Sequence, residues 1–140
     1  MTIESIRRWC KALPGVTEDI KWDDDLVFSV GGKMFCVAML EPPHRLSFKC
    51  DDETFAELIE REGIIPAPYL ARAKWVSIEA LGGGMEWREL EGRLRRSYDL
   101  VTASLTKKAQ AAIDPAPGSV RPGVPQPDAR QARRRGSRTG

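Results

Sequence analysis

A chain of 140 residues, 41% hydrophobic and 30% charged, is long and apolar enough to close one core around a single domain. Its formal charge of +2 is unevenly placed: residues 114–140 hold six arginines against two aspartates, a net of +4, which leaves about −2 for residues 1–113. A general attraction of that domain to phosphate is thereby excluded, and any nucleic-acid contact has to come from a local patch or from the tail.

In chain order, Thr2 is placed to cap a helix whose apolar residues Ile3, Ile6, Cys10 and Leu13 recur at helical spacing, with Glu4 and Arg8 as an i,i+4 pair. Pro14-Gly15 ends it. Val16 to Asp25 is polar and reads as a connection with a short extended piece around Ile20 to Trp22. Leu26 to Val30 and Lys33 to Leu40 read as two strands joined by Gly31-Gly32, a loop suited to positive φ. The second strand is apolar on both faces over Met34 to Leu40, which predicts a central position with cover on each side.

Glu41-Pro42-Pro43-His44 forms the next turn. Arg45 to Cys50 then sends Leu46, Phe48 and Cys50 to one face and Arg45, Ser47 and Lys49 to the other. Asp51 or Asp52 caps a helix with a buried stripe of Phe55, Leu58 and Ile59, ended by Gly63. Pro66 and Pro68 delay regular structure, Tyr69 to Ala73 fits one helical turn or a loop, and Lys74 to Ala80 reads as strand. After Gly82-Gly83-Gly84 a long helix lines up Trp87, Leu90, Leu94, Tyr98, Val101 and Leu105, with Glu89–Arg93 and Glu91–Arg95 pairs outside. From Asp114 the Pro-rich and then Arg-rich composition predicts a disordered tail.

These elements predict an α+β fold: a two-layer α/β sandwich in the order α-β(3-4)-α-β(1-2)-α with an antiparallel sheet, over residues 1–113. The longest apolar run, Met34 to Leu40, is far short of a membrane span, and Cys10, Cys36 and Cys50 lack disulfide or zinc spacing. A cytoplasmic protein with buried thiols is expected.

Catalytic constellations are sparse. His44 stands alone in a turn, Asp23-Asp24-Asp25 lacks the alternating ligand spacing of a calcium loop, and the Gly82 triplet lacks the Gly-Lys-Ser/Thr of a phosphate loop. No catalytic residue, metal or cofactor is therefore expected. Five cations stand out instead: Lys33 at the hairpin tip, Arg45 and Lys49 on one strand face, and Arg72 and Lys74 in the Pro66 stretch. Converging, they would position a duplex through its phosphates without reading its sequence. Tyr69, Trp75 and Trp22 are candidates for stacking on unpaired bases, with core packing the commoner role for Trp75.

Three stretches, Leu13-Pro14-Gly15-Val16-Thr17-Glu18, Val30-Gly31-Gly32-Lys33-Met34-Phe35 and Pro66 to Glu79, give the chain a resemblance to the MmcQ/YjbR family of small bacterial proteins, over Ile3 to Lys108. The resemblance implies an architecture shared with frataxin-like (CyaY-like) domains and type III secretion chaperones. It further implies a DNA-binding role through a double-winged surface, here the Gly31-Gly32 hairpin and the Pro66 to Glu79 segment. The expected function is a non-catalytic binder of duplex DNA through Lys33, Arg45, Lys49, Arg72 and Lys74. The alternative is a protein or peptide adaptor working through an open sheet face or edge.

Overall fold

In the computed structural model the described residues are 1–113; the disorder expected from Asp114 onward lies outside them. Helix α1 (Ile3–Lys11) begins at Thr2, whose hydroxyl accepts from the Ser5 N–H while the Ser5 hydroxyl accepts from the Thr2 N–H. The reciprocal pair satisfies two donors that a helix start leaves open. Glu4 reaches Arg7 rather than the expected Arg8, at 3.6 Å.

The sheet is built from β1 (Val16–Lys21), β2 (Asp25–Val30), β3 (Lys33–Met39), β4 (Leu46–Lys49), β5 (Ile64–Pro66) and β6 (Trp75–Ile78), in the order β1-β2-β3-β4-β6-β5. All neighbouring pairs are antiparallel. The stretch read as a polar connection is thus a full six-residue edge strand, because pairing with β2 outweighs the weak strand character of Thr17-Glu18-Asp19. Helix α2 (Asp52–Leu58) lies between β4 and β5 and is capped by the Asp51 carboxylate, which accepts from the Thr54 N–H at 2.8 Å. It ends at Leu58, before Gly63. Helices α3 (Trp87–Ala103) and α4 (Lys107–Ile113) close the described chain.

The register fixes two faces. Leu26, Ala38, Leu46 and Ile78 stand opposite one another across four strands, as do Phe28, Cys36, Phe48 and Val76. These residues form one core with Ile6 and Cys10 of α1, Leu58 of α2, and Leu90, Leu94, Tyr98 and Val101 of α3. The other face carries the row Asp19, Val27, Val37, Ser47, Ser77, Ile65 across all six strands. Cover on both sides of β3, expected from its apolar run, is met in part: among the described residues the helical core lies on one face, while on the other Val27, Ser77 and Trp75 are buried although no described helix packs there.

A bulge explains why the run looked two-sided. Phe28 pairs with Cys36 and Ser29 with Met34, so Phe35 is an extra residue and both Phe35 and Cys36 are fully buried in the core. The carbonyl that the bulge frees from the ladder accepts from the Ser97 hydroxyl at 2.6 Å, and the Phe35 ring meets Tyr98 edge-on at 5.5 Å. Ser97 also accepts from the Lys49 N–H at 3.0 Å, tying α3 to the ends of both strands.

Candidate functional site

The five sequence-predicted cations separate. In β4 the alternation places Arg45, Ser47 and Lys49 together on the face away from the helices, as expected, but Lys49 pairs with Trp75 while Arg45 lies by Met39 at the other end of the strand. Four residues of extended chain put them about 13 Å apart. Lys33 starts β3 at the Lys49 end, because Cys36 stands opposite Phe48. Arg72 lies in a single 3-10 turn, Ala71–Ala73, just before β6, and Lys74 follows it. Lys33, Lys49, Arg72 and Lys74 thus share one end of the sheet, and Arg45 belongs to the opposite end.

Two hairpin loops project from the shared end. Gly31-Gly32 links β2 to β3, with φ of 60° and 82°, and residues 67–74 link β5 to β6. β4 runs between them, so Lys33 and the start of β6 are two strand spacings, or roughly 10 Å, apart. Position 31 favours glycine: its backbone is left-handed, and a Cβ would stand 2.5 Å from Leu105 Cδ1, whose side chain would have to shift. In the longer loop Tyr69 and Lys74 both hold left-handed backbone, at φ of 66° and 67°.

These side chains have differing freedom. The Lys49 Nζ donates to the Ala73 carbonyl at 2.8 Å, bracing the longer loop against β4. Lys74 sets its ammonium 5.1 Å from the centre of the Phe55 ring. Lys33 Nζ lies 3.5 Å from the Ser104 hydroxyl at the C-terminus of α3, an end whose open carbonyls favour a cation. Arg72 is exposed and makes no hydrogen bond or ion pair among the described residues. The nearby Asp51 is committed elsewhere: hydrogen bonds from Thr54 first, then the Arg96 guanidinium 3.5 Å away, hold its carboxyl below the usual range. It does not neutralise the cluster.

Of the aromatics, Trp75 is buried, Tyr69 is fully exposed in the longer loop, and Trp22 stands out from the β1–β2 turn at the far end. Three of the α3 arginines are paired: Arg93 with Glu89 at 3.4 Å as expected, Arg95 with Asp99 at 3.2 Å in place of Glu91, and Arg96 with Asp51. Arg61 also reaches Glu89, at 2.6 Å. The Ser47 and Ser77 hydroxyls meet at 2.6 Å in the middle of the helix-free face. Sequence reasoning missed that pair; Ser47 had been placed on the face, but its partner depended on β4 lying beside β6.

His44 is half-buried, with Nδ1 3.1 Å from the Met39 carbonyl oxygen, which accepts from it. Among the described residues no three of His, Cys, Asp and Glu gather closely enough to hold a metal ion. Cys10, Cys36 and Cys50 are free and buried; burial pushes the Cys36 thiol well up and the Cys50 thiol to about 11. No helix of the described residues is long and apolar enough to cross a membrane.

A single α+β domain with all helices on one face of a six-stranded antiparallel sheet is a fold found in solved structures. A Deinococcus radiodurans protein, DR2400, of the DUF419 domain class, is 32% identical with a TM-score of 0.72, over 84% of this chain and 94% of that one. A Pseudomonas syringae protein of 19% identity, TM-score 0.60, covering 71% of this chain and 98% of the other, shares the fold. The YjbR family model matches residues 11–100, and the chain belongs to that family. No functionally curated protein matches it.

Proposed function

We propose that this domain is a non-catalytic binder of duplex DNA that contacts phosphates through the sheet end bearing the two hairpin loops. The observation that supports this reading is the gathering of Lys33, Lys49, Arg72 and Lys74 at that end, where no carboxylate among the described residues forms an ion pair with them. The two loops are the stretches to which the family resemblance would assign a double-winged surface, and β4 runs between them. Arg45 is left out of the contact set, since it lies by Met39 at the other end. Contacts of this kind position the protein and carry no sequence information.

The test is a titration of duplex DNA against the full chain and against a chain ending at Ile113, at several salt concentrations. Binding by both, with affinity falling as salt rises, supports the reading. Binding by the full chain alone assigns the affinity to the arginine-rich tail and refutes it.

A second reading, a peptide adaptor, is favoured by one observation: the face bearing Val37, Ser47, Ser77 and Ile65 has no described helix packed on it. A protein partner that stays bound to the full chain through nuclease treatment would support it over the first.

A further inference from the structure

β1 forms one margin of the sheet, and among the described residues the backbone of residues 17–21 makes no backbone hydrogen bond beyond those to β2. Alternate residues therefore aim their N–H and C=O groups outward, where one more strand can add. The opposite margin, β5, is three residues long and ends in Pro66, a common way of blunting an edge. β1 has six residues and no proline; Ile20 within it and Trp22 just after it are 62% and 67% exposed.

Charge selects the partner. Asp19, Asp23, Asp24 and Asp25 make no ion pair among the described residues, and Lys21 is the one cation within residues 16–25. Burial, and then the charge of Asp24, push the Asp25 carboxyl up, which reports the crowding of negative charge. A second β1 strand is a poor mate: antiparallel self-pairing about the strand centre sets Glu18 and Asp19 against the same two residues. An extended basic segment suits the edge.

The chain contains one, Arg130, Arg133, Arg134, Arg135 and Arg138, and it departs from the right place. Ile113 packs at Gly15, immediately before β1, so closely that a Cβ there would stand 2.9 Å from Ile113 Cγ2. The roughly 17 residues from Ile113 to Arg130 span about 20 Å as a coil and about 50 Å extended, against about 20 Å for β1. A tether of that length holds its end at an effective concentration of order millimolar.

We propose that the edge of β1 left open among the described residues, with the adjoining turn around Trp22, docks the chain's own arginine-rich segment, residues 130–138, in cis. Asp19, Asp23 and Asp24 offer carboxylates that suit guanidinium groups, and the exposed Trp22 ring offers a face on which a planar cation can stack. The same arginines are then withheld from nucleic acid until phosphate competes for them. This surface is distinct from the basic end, and its test needs no DNA.

The test uses the full chain at low salt, with the five arginines changed to Gln, and reads acrylamide quenching of Trp22 (by difference from Trp22→Phe chains) and amide exchange over residues 17–23. Quenching and exchange that both rise about twofold or more on loss of the arginines support the proposal. In the chain with native arginines, Asp19→Asn, Asp23→Asn and Asp24→Asn together, or added salt, should produce the same rise. Unchanged quenching and exchange overturn it, as does a rise whose size depends on protein concentration, which would place the segment on a second copy. The arginines lie outside the described core, so the substituted chain keeps its fold.

Discussion

The two ends of the sheet are electrostatic opposites built from the same kind of element. At one end a glycine hairpin and a longer loop gather Lys33, Lys49, Arg72 and Lys74; at the other, the β1–β2 turn gathers Asp23, Asp24 and Asp25 around an exposed Trp22. The domain's net charge of about −2 conceals this, because it averages over both. Both ends hold left-handed backbone, Tyr69 and Lys74 at the basic end and Trp22 and Asp23 (φ of 52° and 73°) at the acidic one, but the basic end is braced by Lys49 on the Ala73 carbonyl and by Ser97 on the bulge. Left-handed backbone at a tryptophan costs stability, of order 1 kcal/mol.

The contrast breaks most visibly if the cations act together. Changing Lys49, Arg72 and Lys74 to Ala should lower the magnitude of the log-affinity against log-salt slope for duplex DNA by about 3, at about 0.9 per lost phosphate contact. Arg45→Ala should leave that slope unchanged; equal effects from both variants would dissolve the distinction between the ends.

Next in size is the brace. Ser97→Ala leaves the Phe35 carbonyl and the Lys49 N–H without their partner in a buried place, and should cost about 1–3 kcal/mol in denaturant unfolding. A loss below about 0.5 kcal/mol would show that the bulge is held by packing alone.

The helix side of β1 offers a pH handle. Glu18 accepts from Arg7 and Lys11, each at 2.8 Å, and the hydrogen bonds from first Arg7 and then Lys11 lower its carboxyl to about 2. A carboxyl with a lowered folded value contributes stability that is complete above the ordinary 4.5 and is lost as pH falls through about 2. With both cations about half exposed, solvent screening reduces this to about 1 kcal/mol. Glu18→Gln should remove that part of the acid dependence, read as the difference in unfolding midpoint between pH 6 and pH 2.5.

The smallest effect tests the strained turn. Trp22→Asn should stabilise the chain by about 0.5–1 kcal/mol, since Asn tolerates the left-handed region. Destabilisation of similar size would mean that the exposed ring has packing value in the free chain.

Several features were legible in the chain itself because their causes are local. The Thr2 and Asp51 caps, the Gly31-Gly32 turn, the inside and outside faces of Leu46 to Lys49, and the stripe of Leu90, Leu94, Tyr98 and Val101 each follow from residue type and spacing within a turn or two. The order of predicted elements gave the α+β class, and the family resemblance implies the same architecture. β1 was underread because its strand character comes from β2, and the bulge at Phe35 because an extra residue in an apolar run leaves no mark on composition.

What tertiary structure alone decided was which end of the sheet each cation occupies. The alternation of β4 placed Arg45 and Lys49 on one face, yet only the antiparallel register against β3 and β6 assigned Lys49 to the end shared with Lys33, Arg72 and Lys74, and Arg45 to the other. The sequence by itself determined which residues carry charge and which way each strand faces; strand order and register, set by burial of one continuous core, determined which charges share an end of the sheet.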